Sequence, residues 1–235
     1  MKRFAFAAFA AALLATGPAL ASSITIEDYE TGDWGASWQA SGGGAPGGDV
    51  NASSAFTGSF GAADTDSLWN IYGGYTLQSG DRLQANVRAT AGRFYLGFGA
   101  DATGASSFVM APNTGDIRFQ NNESFGYTEL NTLTYGFVSG SWYMAEVYFA
   151  PDGDVIGSLF DSSGSTLLAQ LTASGLTRTG GGSIALRSFG GNAIDNVRVV
   201  SGTTAPIPLP AAGWLLLGRI ALLGGVARRQ GRAAA

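Results

Sequence analysis

With no histidine and no cysteine in its 235 residues, the sequence leaves acid–base and metal chemistry to its seventeen carboxylates. Ser-His triads, Cys-His dyads, histidine-based metal sites and disulfides are all excluded. Cleaving a glycosidic bond takes two carboxyl groups, ~5–5.5 Å apart for retention or ~6.5–9.5 Å for inversion. Glu123, Glu129 and Glu146 stand singly among apolar or polar neighbours. Glu146 shares a face with Trp142 and Tyr148, so it could line a groove or sit on a solvated sheet face. Asp152 and Asp154 lack the terminal glutamate of a calcium loop, and Asp152-Gly153 reads as a hairpin turn. Asp195 stands out. Alternation sets it inward beside Val197 and Val199, where a charge needs hydrogen bonds, an arginine or a cation.

Large flat side chains offer a second chemistry, because a sugar ring presents an apolar face that an aromatic ring can stack on. Trp34, Trp38, Tyr95, Tyr127 and Trp142 are open to that reading, although most such residues fill a sandwich core. Trp69, Tyr72 and Tyr75, set among glycines in a loop-like stretch, form the candidate glycan-binding patch.

The elements that must position these residues are strands. Turn residues recur every 8–12 positions and long helical periodicity is absent, the pattern of an all-β sandwich or barrel. Residues 24–29 read as a first strand. Arg82 to Ala89 alternates cleanly, with Leu83, Ala85, Val87 and Ala89 on one face, and 93–99 is expected to be its hairpin partner. Segments 106–111 and 116–120 pair around Pro112-Asn113-Thr114-Gly115. Residues 142–149 turn at Asp152-Gly153 into 155–160 and then 166–171, and 184–188 and 193–200 close the domain. About ten to twelve strands are expected.

The two ends are of another kind. Met1-Lys2-Arg3, the apolar run from Phe4 to Ala15 and Ala19-Leu20-Ala21 have the form of a secretory signal peptide cleaved after Ala21. At the far end, Ile207 to Ala227 is 21 residues long, near the ~20 that span a bilayer. Arg228, Arg229 and Arg232 follow, as the positive-inside rule requires, and Trp214 suits the interface. A buried core helix is the competing reading. All seventeen acids lie between these ends against seven arginines, giving the body a formal charge of −10. An acidic body without lysine is a poor partner for nucleic acid.

The tail Ile207-Pro208-Leu209-Pro210-Ala211-Ala212-Gly213-Trp214-Leu215-Leu216-Leu217-Gly218 closely resembles the PEP-CTERM class of bacterial sorting signals, in its Val-Pro-Leu-Pro-Ala variant. The sorting motif is then Pro208, Leu209, Pro210, Ala211, Gly213 and Trp214. Ile207 stands in place of the usual valine, and Arg219 places a charge in the helix that costs ~2.5–3.5 kcal/mol on insertion scales. The resemblance implies export in a Gram-negative bacterium and a transient inner-membrane anchor. Signal peptidase and an exosortase-like transpeptidase would process the chain, which would end at the cell surface or in an extracellular matrix.

The body resembles the concanavalin A-like (laminin-G-like) jelly roll. Glu27-Asp28-Tyr29-Glu30 with Trp34, Trp142-Tyr143, Asp152-Gly153-Asp154-Val155 and Ile194-Asp195-Asn196-Val197-Arg198-Val199 carry the likeness; a galactose-binding-type jelly roll is the runner-up. Hydrolases on the concanavalin sheet carry Glu-x-Asp-x-x-Glu on one strand, a string this chain lacks. The resemblance implies a structural calcium joining the first and last strands, here at Glu30 (or Glu27 or Asp28) and Asp195 with backbone carbonyls. The expected organisation is a signal peptide (1–21), an antiparallel β-sandwich of jelly-roll type (22–202), and a Pro-rich linker with transmembrane helix and Arg-rich tail (203–235). The expected function is that of a non-catalytic surface or matrix protein that binds glycan. A carboxylate-dependent glycan hydrolase or lyase is the alternative.

Overall fold

The computed structural model describes residues 21–65 and 68–202. The expected leader up to Leu20, Ala19 included, lies outside the described residues, as does the whole sorting tail from Pro208 to Trp214. Described structure begins at Ala21, and the first strand starts one residue later, at Ser22.

Fifteen strands build the described chain: β1 (Ser22–Glu27), β2 (Trp38–Ala40), β3 (Val50–Asn51), β4 (Gly61–Ala62), β5 (Asn70–Tyr72), β6 (Arg82–Arg88), β7 (Arg93–Asp101), β8 (Gly104–Ala111), β9 (Asp116–Glu123), β10 (Thr128–Thr134), β11 (Trp142–Phe149), β12 (Val155–Asp161), β13 (Leu167–Thr172), β14 (Ser183–Phe189) and β15 (Ala193–Ser201). A 3-10 turn, Ala52–Ser54, follows β3. The strands form two antiparallel sheets. One runs β13-β12-β11-β6-β15-β4-β3 with β1 also on β15, and the other runs β10-β9-β8-β7-β14-β5-β2. The sequence expectation of an all-β antiparallel sandwich is what is observed.

Period-two alternation decides what fills the gap between the sheets. Leu83, Ala85 and Val87 of β6, Tyr143, Ala145, Val147 and Phe149 of β11, and Phe94, Leu96 and Phe98 of β7 all enter one core. Phe98 meets Phe149 edge-on at 5.3 Å, and Phe108 meets Phe119 at 5.4 Å. Each such side chain contributes ~1.5–3 kcal/mol by leaving water. Gly157 of β12 lets the Phe108 ring of the opposite sheet rest on its backbone. A Cβ there would stand 2.4 Å from that ring, so even alanine forces the sheets apart locally.

Two expectations need correction. Segments 82–89 and 93–99 do not form a hairpin: β6 pairs with β11 and β15 in one sheet, and β7 with β8 and β14 in the other. Residues 89–92 cross between the sheets, and Gly92 makes the crossing at φ 112, where a Cβ would lie 2.1 Å from the Phe189 carbonyl. Nor does Asp195 share the inward face of Val197. A register shift between Asp195 and Arg198, with Asn196 at φ 51, is a bulge that breaks the alternation. Ile194 takes the core position, and Asp195, opposite Asn86, falls on the outer face.

Candidate functional site

The outer face of the seven-stranded sheet is built in rows fixed by register. Gln120, Ser107, Gly97, Ala185 and Ile71 stand side by side across β9, β8, β7, β14 and β5. The neighbouring row holds Arg118, Val109, Tyr95 and Arg187. The first row is made of small residues at its middle, and Trp69 folds across it. Its ring carbon Cζ3 would be 3.1 Å from a Cβ on Gly97, so the glycine is what admits the indole. Tyr95 abuts Trp69 at 5.3 Å and Phe125 does so at 6.1 Å. The Arg187 guanidinium carbon lies 5.3 Å from the Tyr95 ring, 5.7 Å from Phe189 and 5.9 Å from Trp69. Arg187, Phe125 and Phe189 are half-buried and form the rim; Trp69, Tyr95 and Gln120 lie behind them.

Several polar atoms of this layer have no partner. Both amide atoms of Gln120, the Trp69 indole Nε1 and Arg187 Nε are buried without a hydrogen bond. Two of their neighbours are satisfied. Ser107 donates to Asn122 Oδ1 at 2.6 Å, and Arg118 is paired with Asp116 and Glu129. Burial alone would raise the Asp116 carboxyl, but Arg118 holds it below the ordinary aspartate value.

A second place lies on the other sheet, in the excursion 49–64, where the stretch 52–60 between the edge strands β3 and β4 folds back over the outer face of β6 and β15. A cavity of about 260 Å³ is lined there by Asp49, Asn51, Ser53, Asp64, Arg88 and Asn192, among others. Arg88 Nη1 donates to the Ser53 carbonyl at 2.7 Å, and its guanidinium carbon is 5.7 Å from the Trp142 ring. Asp64 Oδ2 accepts from Gly191 N–H at 2.7 Å, while Oδ1 is buried with no partner. Phe56 packs on Trp142 at 5.1 Å.

The two carboxylates proposed for calcium meet the same excursion. Asp195 is fully buried; its Oδ2 accepts from Phe56 and Thr57 N–H at 2.7 and 3.0 Å, and its Oδ1 from Asn196 N–H at 2.6 Å. Glu30 Oε1 accepts from Ser59 and Phe60 N–H at 2.9 and 3.3 Å, and Oε2 from Ser59 N–H at 3.0 Å. Burial pushes the Asp195 carboxyl above its ordinary value; the Thr57, Phe56 and Asn196 amides pull it back, and the Glu30 charge adds to the rise. Calcium takes six to eight oxygens. Here the carboxylate lone pairs face backbone N–H donors, and no group of three or more acids is assembled among the described residues. As arranged, the donor set does not fit a calcium ion.

The other residues of interest are dispersed. Tyr72 stacks on Trp38 at 5.1 Å, in a chain that continues through Trp34 to Tyr29. Glu27 fixes that chain by accepting from Tyr29 N–H, Gly35 N–H and the Trp38 indole. Tyr75 donates to Asp81 at 2.9 Å and shares a 3.1 Å bond with Ser201. Of the three patch residues, Trp69 alone lies on the outer sheet face, while Tyr72 and Tyr75 pack against the central core. Glu146 is held by Arg82 Nη1 at 2.7 Å and Gln84 Nε2 at 2.6 Å, and its cross-strand neighbours are Gln84 and Ser158, neither of them acidic. Tyr95 was among the aromatics open to sugar stacking, but Gln120 and Arg187 escaped notice because alternation marks a face without saying that other residues fold over it.

No family model and no curated protein sequence matches the chain. Among solved structures, the carbohydrate-binding module CBM66 from Bacillus subtilis is similar over 70% of this chain and 96% of its own, at 12% identity and a TM-score of 0.52. The exoplasmic/lumenal domain of VIP36 in its Ca²⁺-bound form is similar over 78% of this chain and 92% of its own, at 11% identity and a TM-score of 0.52. The Ca²⁺/Man2-bound form of that domain gives 79%, 90%, 12% and 0.50. At these identities the likeness is one of fold: the chain is an antiparallel two-sheet sandwich of the kind these proteins share.

Proposed function

We propose that the chain is an exported surface or matrix protein whose sandwich binds polysaccharide on the outer face of its seven-stranded sheet without cleaving it. One observation carries the reading: the unpartnered Gln120, Trp69 and Arg187 atoms share that face with the Tyr95, Phe125 and Phe189 rings. Each buried polar group left unpaired costs ~1–3 kcal/mol. Gln120 and Trp69 are covered, so a sugar must part the Arg187, Phe125 and Phe189 rim before its hydroxyls meet the amide and indole, while the rim offers it a guanidinium and ring faces. Carbohydrate binding is named for one protein of the same fold, and another is seen with Man2, which supports this class of ligand. Glu146, engaged by Arg82 and Gln84 with no acid opposite, gives no support to hydrolysis.

Export and sorting rest on the sequence. In this reading residues 1–21 leave with signal peptidase, 22–202 are the mature sandwich, and 203–235 hold the chain at the inner membrane of a Gram-negative cell until an exosortase-like transpeptidase acts.

The test is titration calorimetry of the full-length protein in detergent against soluble neutral and acidic polysaccharides. Arg187→Met and Gln120→Leu are expected to weaken binding about tenfold or more each, the loss of a buried polar contact at ~1.4 kcal/mol per decade. No binding by wild type, or unchanged binding in both variants, overturns the proposal.

A further inference from the structure

We infer that the cavity between the 49–64 excursion and the outer face of β6 and β15 is a second binding site, for a neutral sugar ring. Arg88, Asp49 and Asp64 line one space of about 260 Å³ without forming an ion pair with one another. Arg88 spends one N–H on the Ser53 carbonyl and keeps the rest of its fork. Asp64 keeps Oδ1 as a buried acceptor without a donor. The Asp49 carboxylate is exposed.

Charge selects the ligand. A cation would face Arg88, and an anion would face two carboxylates. A hydroxyl donates to a carboxylate and accepts from a guanidinium at once, so a vicinal diol suits both. The volume, just under the ~300–1,000 Å³ of ordinary small-molecule sites, suits one ring and not an extended chain. Arg88, which lines the space, is backed by the Trp142 ring 5.7 Å from its guanidinium carbon, and Phe56 packs on that ring in turn. Asp195 is a positioning residue, since it holds the Phe56 and Thr57 amides of the segment that also carries the lining residues Ser53 and Ser54.

This site is on the opposite sheet from the proposed polysaccharide face, so the two can be tested apart. Full-length protein is titrated with methyl glycosides of glucose, galactose and mannose, with methyl glucuronoside as the charged control. At least one neutral glycoside is expected to bind, the glucuronoside at least tenfold more weakly. Arg88→Met and Asp64→Asn should each cost tenfold or more, and Asp49→Asn, at an exposed position that cannot unfold the chain, several-fold. Arg187→Met should leave this binding unchanged. The inference is overturned if no neutral glycoside binds, if the glucuronoside binds best, or if folded Arg88, Asp64 and Asp49 variants bind like wild type. Loss with Arg187→Met alone overturns it too, while leaving the other face standing.

Discussion

Asp195 shows how one side chain can do what a bound cation does in other proteins. Its Oδ2 gathers the amides of Phe56 and Thr57 and Glu30 those of Ser59 and Phe60, so the excursion is pinned by carboxylate–amide bonds to the last strand and to the turn after the first. Asp195→Ala leaves buried N–H groups unpaired and should lower stability by about 2–4 kcal/mol, measured by urea unfolding. A calcium chelator should leave the melting temperature where it was; a chelator-induced drop of several degrees would put a metal back between these acids. The importance of Asp195 was legible in the sequence as a carboxylate within an apolar strand. Its role was not, because the bulge at Asn196 reverses the face that alternation predicts and its partners lie 138 and 139 residues away. Trp69 was legible in the same limited way. The residue could be singled out, but Tyr95, Gln120 and Arg187 are brought to it only by strand register.

At the scale of elements, Arg178 ties three segments that the sequence leaves independent. It pairs with Asp101 at the end of β7 at 2.9 Å and with Glu123 at the end of β9 at 2.8 Å, and it donates to the Gly99 carbonyl at 3.0 Å. Thr103 and then Arg178 hold the Asp101 carboxyl below its ordinary value, and Arg178 with Thr177 does the same for Glu123. Carboxylates with depressed folded-state pKa values add stability above the unfolded value of ~4, and that stability is lost as pH falls through the folded values. Arg178→Met should therefore melt a few degrees below wild type at pH 7, and the gap should close as the pH is lowered past ~4. A gap that does not narrow between pH 4 and pH 2 would assign the effect to the Gly99 bond and to packing instead. The long strands β6, β8, β9, β11, β12, β14 and β15 were readable because each is buried on one face at least and carries period two. The two- and three-residue strands β2 to β5 are too short to show a period. Strand β10 is an exposed edge with no apolar face to betray it. The β6–β7 hairpin was misread because adjacent strands usually pair, whereas Gly92 here turns the chain into the other layer.

For the whole molecule, the charge of −10 on the body and the basic, apolar ends are the sequence features on which the proposed export rests. Two candidate sugar sites on opposite sheets would let one copy hold a polysaccharide on one face and a single sugar ring on the other. The most direct measurement is fractionation of a Gram-negative host with the sorting machinery, comparing wild type with an Arg187→Met/Arg88→Met double variant by intact mass. Wild type should be found in the surface or matrix fraction with its C-terminus removed near Ala211, and the double variant should be processed in the same way but shed into the medium. Wild type that retains Arg232 in a soluble periplasmic fraction, or a double variant held in the matrix as firmly as wild type, would contradict the account.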